Sequence, residues 1–145
     1  MKKFILAMAA LTFSFGVMSA QDLASATATY NSGAEALTMG NKTSALEYFQ
    51  KALTMAESLG EEGAEVATNC KNAIPSVILS IGKEFYNNKD FSNAKAKFVE
   101  AAEVAKKYGN EEVTAEVESL LPTVGKRIAL AKVNEAMKNK DIAGV

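Results

Sequence analysis

Histidine and tryptophan are absent from this 145-residue chain, cysteine occurs once and proline twice. Without histidine the chain lacks the side chain most used as general base and as metal ligand. A single cysteine excludes an internal disulfide. Cys70 reads as a small apolar packing residue on a helix, with a bridge to another molecule as the alternative. No glycine-rich phosphate loop occurs, since Gly60-Glu61-Glu62-Gly63 is acidic and repels phosphate. Paired carboxylates stand at 61–62 and 111–112. Both pairs begin helical stretches, where they complement the helix dipole, so acid–base chemistry is not needed to explain them. Lysines 95, 97, 106 and 107 are interleaved with acids and read as a solvated face. These absences point to a non-catalytic protein without cofactor or metal.

The segment 1–20 is set aside from the fold. Lys2 and Lys3 form a short positive region, Phe4 to Val17 carry no charge, and Met18-Ser19-Ala20 supply a small residue at the cleavage point before Gln21-Asp22. That layout is a secretory signal peptide over 1–20, cleaved after Ser19 or Ala20. The alternative, a membrane anchor, needs roughly 20 apolar residues, more than this run provides. No later stretch is apolar enough to span a membrane. The expected location is therefore periplasmic or secreted, on the envelope side of a bacterial membrane. Losing Lys2 and Lys3 from the 16 basic residues leaves 14 against 17 acids, a net charge of −3. That balance gives no electrostatic reason to bind nucleic acid or anionic lipid. The remainder suits one domain over residues 21–140, with 141–145 as a short tail.

Abundant Ala, Glu, Lys and Leu without alternating β-branched runs favours helix throughout. A first helix is expected from Asp22 to Met39, with Leu23, Ala26, Tyr30, Ala34 and Leu37 on one face. A second starts near Ser44, where Ser44-Ala45-Leu46-Glu47 fits a capping box. It ends at Gly60 in the left-handed position. A third begins at Glu61-Glu62 and runs to Asn87-Asn88, with a kink or break expected at Pro75. The fourth spans about Ser92 to Tyr108 and ends at Gly109. The fifth runs from Glu111 to about Lys138, with Pro122 inside. Five helices on short loops predict antiparallel neighbours.

Shifting the chain by 49 residues lays residues 28–62 onto 77–111 with eight identities: Gly33/Gly82, Glu35/Glu84, Ala45/Ala94, Phe49/Phe98, Ala52/Ala101, Ala56/Ala105, Gly60/Gly109 and Glu62/Glu111. Most are small or aromatic, the residues that set how closely helices approach. The order Gly33, Ala45, Phe49, Ala52, repeated as Gly82, Ala94, Phe98, Ala101, resembles the tetratricopeptide repeat. Asn88-Lys89-Asp90-Phe91 resembles that family's turn between paired helices, and Asn139-Lys140-Asp141-Ile142 echoes it at the start of a third repeat. The period exceeds the family's usual length of about 34 residues. About two helical turns are added around Asn69 to Ser76, and the proline that normally follows the second helix of a pair is missing. The resemblance implies an all-α fold of antiparallel helix pairs stacked as an α-α superhelix. An ordinary helical bundle of similar composition is the second reading of the fold.

The resemblance further implies that the first helix of each pair lines a concave groove for a peptide or protein partner. The groove positions fall at Tyr30, Ala34, Leu37 and Thr38 in the first repeat and at Leu79, Lys83, Tyr86 and Asn87 in the second. Tyr30 and Tyr86 are the favoured contacts, though Tyr30 would equally serve a core. Lys83 and Asn87, one turn apart, are placed to hold a carboxylate. The competing expectation is a structural protein that stacks on itself as a homo-oligomer or within a larger envelope complex. The last helix divides the two: a polar outer face (Glu112, Glu116, Ser119, Thr123, Arg127, Asn134) marks a solvating cap, whereas an exposed stripe of Leu130, Val133 and Met137 marks an assembly surface. A third and remoter reading is a fragment of a longer array, because the sequence stops within a nascent third repeat.

Overall fold

The computed structural model describes the backbone of residues 2–143 and the side chains of residues 20–140. The signal peptide expected at 1–20 and the tail expected at 141–145 lie essentially outside the residues whose side chains are described. Among the described residues five α-helices follow one another: α1 (Lys2–Thr38), α2 (Lys42–Ser58), α3 (Ala64–Asn87), α4 (Phe91–Tyr108) and α5 (Glu111–Ala143), with a 3-10 turn at Gly60–Gly63. No strand occurs among them. The fold class read from the sequence is thus all-α. The chain divides into two compact units, Met1–Ala73 and Ile74–Val145, with the boundary inside α3.

Each unit is built around the same contact, a glycine lying under a phenylalanine. In the first unit α1 packs on α2. A Cβ on Gly33 would come 2.8 Å from the Phe49 ring, so only glycine lets α1 approach that closely. In the second unit a Cβ on Gly82 would lie 2.6 Å from the Phe98 ring, and α4 packs on α5. Around each ring the small residues close in. Ala45, Ala52 and Ala56 are fully buried in α2, and Ala94, Ala101 and Ala105 in α4. Removing this area from water is the main driving force for each unit. The recurring Gly33/Gly82, Ala45/Ala94, Phe49/Phe98, Ala52/Ala101 and Ala56/Ala105 pairs are therefore packing residues, whereas Glu35/Glu84, Gly60/Gly109 and Glu62/Glu111 are exposed.

The helix ends repeat as well. Gly40 N–H donates to Leu37 and Asn41 N–H to Ala36; at the equivalent turn of the second repeat, Lys89 N–H donates to Tyr86 and Asp90 N–H to Phe85. Gly109 and Asn110 make the same pair of bonds to Lys106 and Ala105. All three are Schellman endings, in which a left-handed residue lets the chain reverse and satisfy the last carbonyls. Gly40 and Gly109 supply positive φ at no steric cost, but the second turn uses Lys89 at φ 64°. In each case the next residue caps the following helix. Asn41 accepts from Ser44 N–H at 3.2 Å, Asp90 from Asn93 N–H at 3.2 Å and Asn110 from Val113 N–H at 3.1 Å.

Several expected boundaries are corrected. Ser44 is not the N-cap of α2; Asn41 is, and Ser44 is the residue whose N–H it accepts. The second-repeat helix likewise begins at Phe91, under Asp90, rather than at Ser92. Glu61 and Glu62 lie in the 3-10 turn and α3 starts only at Ala64. Gly63 accounts for the tight corner: an added Cβ there would collide with the Ala56 carbonyl oxygen. Pro75 and Pro122 do not break their helices, and α3 and α5 run through them. Pro75 is fully buried, and its packing offsets the hydrogen bond its ring removes. Helix α1 already includes residues N-terminal to Asp22, and α5 runs past Lys138 to Ala143.

Candidate functional site

The positions expected to line a groove fall into two classes. Tyr30 and Leu79, equivalent in the two repeats, turn inward. The Tyr30 ring lies 5.2 Å from the Phe49 ring, and Leu79 is buried. Tyr30, half-buried, thus packs against the core ring of the first unit. The other pairs stay at least partly exposed: Ala34 with Lys83, Leu37 with Tyr86, and Thr38 with Asn87. Thr38 spends its hydroxyl on the Ala34 carbonyl, 2.9 Å away. Lys83 is engaged too, its ammonium paired with Glu116 of α5. Lys83, one of the two residues expected to hold a partner's carboxylate, is therefore already paired with a carboxylate of the protein itself.

Tyr86 and Asn87 are brought together with residues that the repeat register does not reach. They line an open groove of about 430 Å³ with Lys89, Phe91, Arg127, Leu130, Ala131 and Asn134. Two local structures shape it. The Schellman turn at Lys89 swings the chain so that Phe91 meets Tyr86 edge-on, with centroids 5.3 Å apart. Helix α5 supplies the opposite wall through residues spaced three and four apart, which share a face. The groove offers an aromatic pair, an apolar edge at Leu130, two amides and two cations. Neither Lys89 nor Arg127 forms an ion pair with another described residue. Such a lining sets apolar anchors beside hydrogen-bonding groups.

Leu130, Val133 and Met137 are 53%, 53% and 56% exposed and lie on one face of α5. Every described residue beyond Ile128 is exposed. Of the residues expected to form a polar outer face, Glu116 is tied to Lys83, while Arg127 and Asn134 face the groove. The outer surface is therefore polar along the first turns of α5, and its last turns, exposed all round, carry an apolar stripe among charged and amide side chains. No described helix is long and apolar enough to cross a membrane, and no three potential metal ligands cluster among the described residues. Cys70 is buried, and loss of hydration pushes its thiol up to about 11 from 9.0, so it is neutral and unreactive near neutral pH.

Compared with protein families, with curated proteins and with solved structures, the chain matches none.

Proposed function

We propose that this protein is an exported, non-catalytic interaction module, a tetratricopeptide-like array that holds a peptide or protein partner. The observation that carries the reading is the groove at Tyr86 and Asn87, open and lined by aromatic, amide and cationic side chains. The residue order around Gly33 and Gly82 supports the repeat assignment, since both glycines serve the close helix approach that such pairs require. The charge-free segment after Lys2-Lys3 supports export to the periplasm or beyond. Co-purification followed by mass spectrometry identifies the partner. Tyr86→Ala should weaken capture while costing only about 1 kcal/mol of stability, the scale of one aromatic contact. If the variant unfolds, or captures as well as the parent, the groove is not the binding surface.

A second reading, self-assembly, is favoured by one specific observation: the exposed Leu130, Val133 and Met137 stripe. Light scattering at increasing concentration tests it, and a strict monomer throughout removes it.

A further inference from the structure

The exposed stripe on α5 is longer than its three apolar residues. Lys126, Leu130, Val133, Met137 and Lys140 follow one another at spacings of four, three, four and three, so one face carries an apolar row bracketed by lysines. That is a narrow, seam-like pattern, suited to a second helix rather than to a broad lipid surface. Charge is distributed to match. Residues 126–140 carry five cations and one acid, a net charge of +4, whereas residues 21–125 carry 9 cations and 15 acids, a net charge of −6. The chain thus holds surfaces of both signs.

A complementary face exists on α1. Asp22 and Glu35 bracket Ser25, Ala28 and Ser32, and beyond Glu35 the row ends in Met39, at 74% the most exposed large apolar residue described. The stretch of helix from Asp22 to Glu35 nearly equals that from Lys126 to Lys140, so the two acids can meet the two lysines in one register. The two serines donate their hydroxyls to the Gln21 and Ala28 carbonyls of their own helix, so neither hydroxyl must keep a water when another helix approaches. Met39, Glu35 and Tyr48 also line a concavity of about 290 Å³ beside this row.

We propose that the α5 seam of one copy docks on the α1 face of a second copy, with Lys126 and Lys140 against Asp22 and Glu35. This rests on the assembly reading above. The contact is head-to-tail: it joins different surfaces of identical chains, so each end of an open assembly keeps one surface free for a further copy. A symmetric pairing of two α5 seams is disfavoured by charge, because an antiparallel pair centred on Val133 sets Lys126 of each copy against Lys140 of the other.

Sedimentation and light scattering on the protein as purified test this. The expected result is association that grows with concentration, weakens with salt, and falls roughly tenfold or more in Leu130→Glu/Val133→Glu. Two charge-reversed variants, Lys126→Glu/Lys140→Glu and Asp22→Lys/Glu35→Lys, should each be monomeric alone and associate again when mixed. Lys95→Glu, on the exposed face of α4, should change nothing. Circular dichroism must show each variant folded. A monomer at all concentrations removes both the assembly reading and this interface. Association that ignores the charge reversals, or fails to return on mixing, keeps assembly but overturns the head-to-tail contact. So does loss of self-association in favour of phosphatidylglycerol vesicles bound through the same lysines.

Discussion

Phe98 shows how much of the stability resides in single side chains. Its ring is 1% exposed and fills the space that Gly82 leaves open. Phe98→Ala should cost about 3–5 kcal/mol by opening a cavity. Gly82→Ala should cost about 1–3 kcal/mol by forcing the buried ring aside. Chemical denaturation measures both, and a loss below about 1 kcal/mol for Phe98→Ala would contradict the packing described. Cys70 gives a pH dependence whose sign follows from its environment. Burial raises the thiol from 9.0 to about 11, so the folded state holds its proton more tightly than the unfolded one. That contribution is fully present below pH 9 and is lost as pH rises through about 11, amounting to about 2–3 kcal/mol. The comparison is with Cys70→Ala, which removes the thiol alone. Between about pH 8.5 and 11 the parent should lose more stability than the variant, and equal slopes would refute the assignment.

The turn from α3 to α4 concentrates the local rules in a few residues. Lys89 sits at φ 64° where the equivalent Gly40 and the later Gly109 are glycines. A left-handed conformation costs a non-glycine residue about 1–2 kcal/mol, partly offset by the greater unfolded-state entropy of glycine. Lys89→Gly should therefore raise stability by up to about 1 kcal/mol, read from the denaturant midpoint. Asp90→Ala should lower it by about 1 kcal/mol by removing the cap on α4. The same turns show how much is legible in a sequence. Gly33, Phe49, Gly82 and Phe98 can be read because packing repeats leave identities at a fixed offset. The caps mislead because Ser44 fits a capping box, whereas Asn41, one turn earlier and directly after Gly40, gains both the reversal and the cap. Gly63 gives no signal at all, since close backbone approach has no local pattern. Tyr86 and Asn87 follow from register. Arg127, Leu130 and Asn134 join them only through the turn geometry, and Tyr30 goes to the core because Phe49 lies within reach.

Across the whole chain the residues that hold the fold and those available to partners are separated along α5. Val113, Val117 and Val124 are buried, Ile128 is half-buried, and every described residue from Ala129 to Lys140 is exposed. Those last residues are helical without burying anything, which their Ala, Leu, Lys, Glu and Met content permits by propensity and by continuing a helix already nucleated. The exposed end extends about 18 Å, long enough to present the whole seam from Leu130 to Lys140. A chain ending at Ile128 should thus keep its unfolding midpoint within a few degrees and lose helical signal only in proportion to the residues removed. Its self-association, and any capture that depends on Leu130 or Asn134, should be lost. If truncation instead collapses the midpoint, the end of α5 supports the fold and its apolar face is not spare. If the midpoint holds and association persists, the contacts between copies lie elsewhere on the molecule, and the Lys126–Lys140 face plays no part in them.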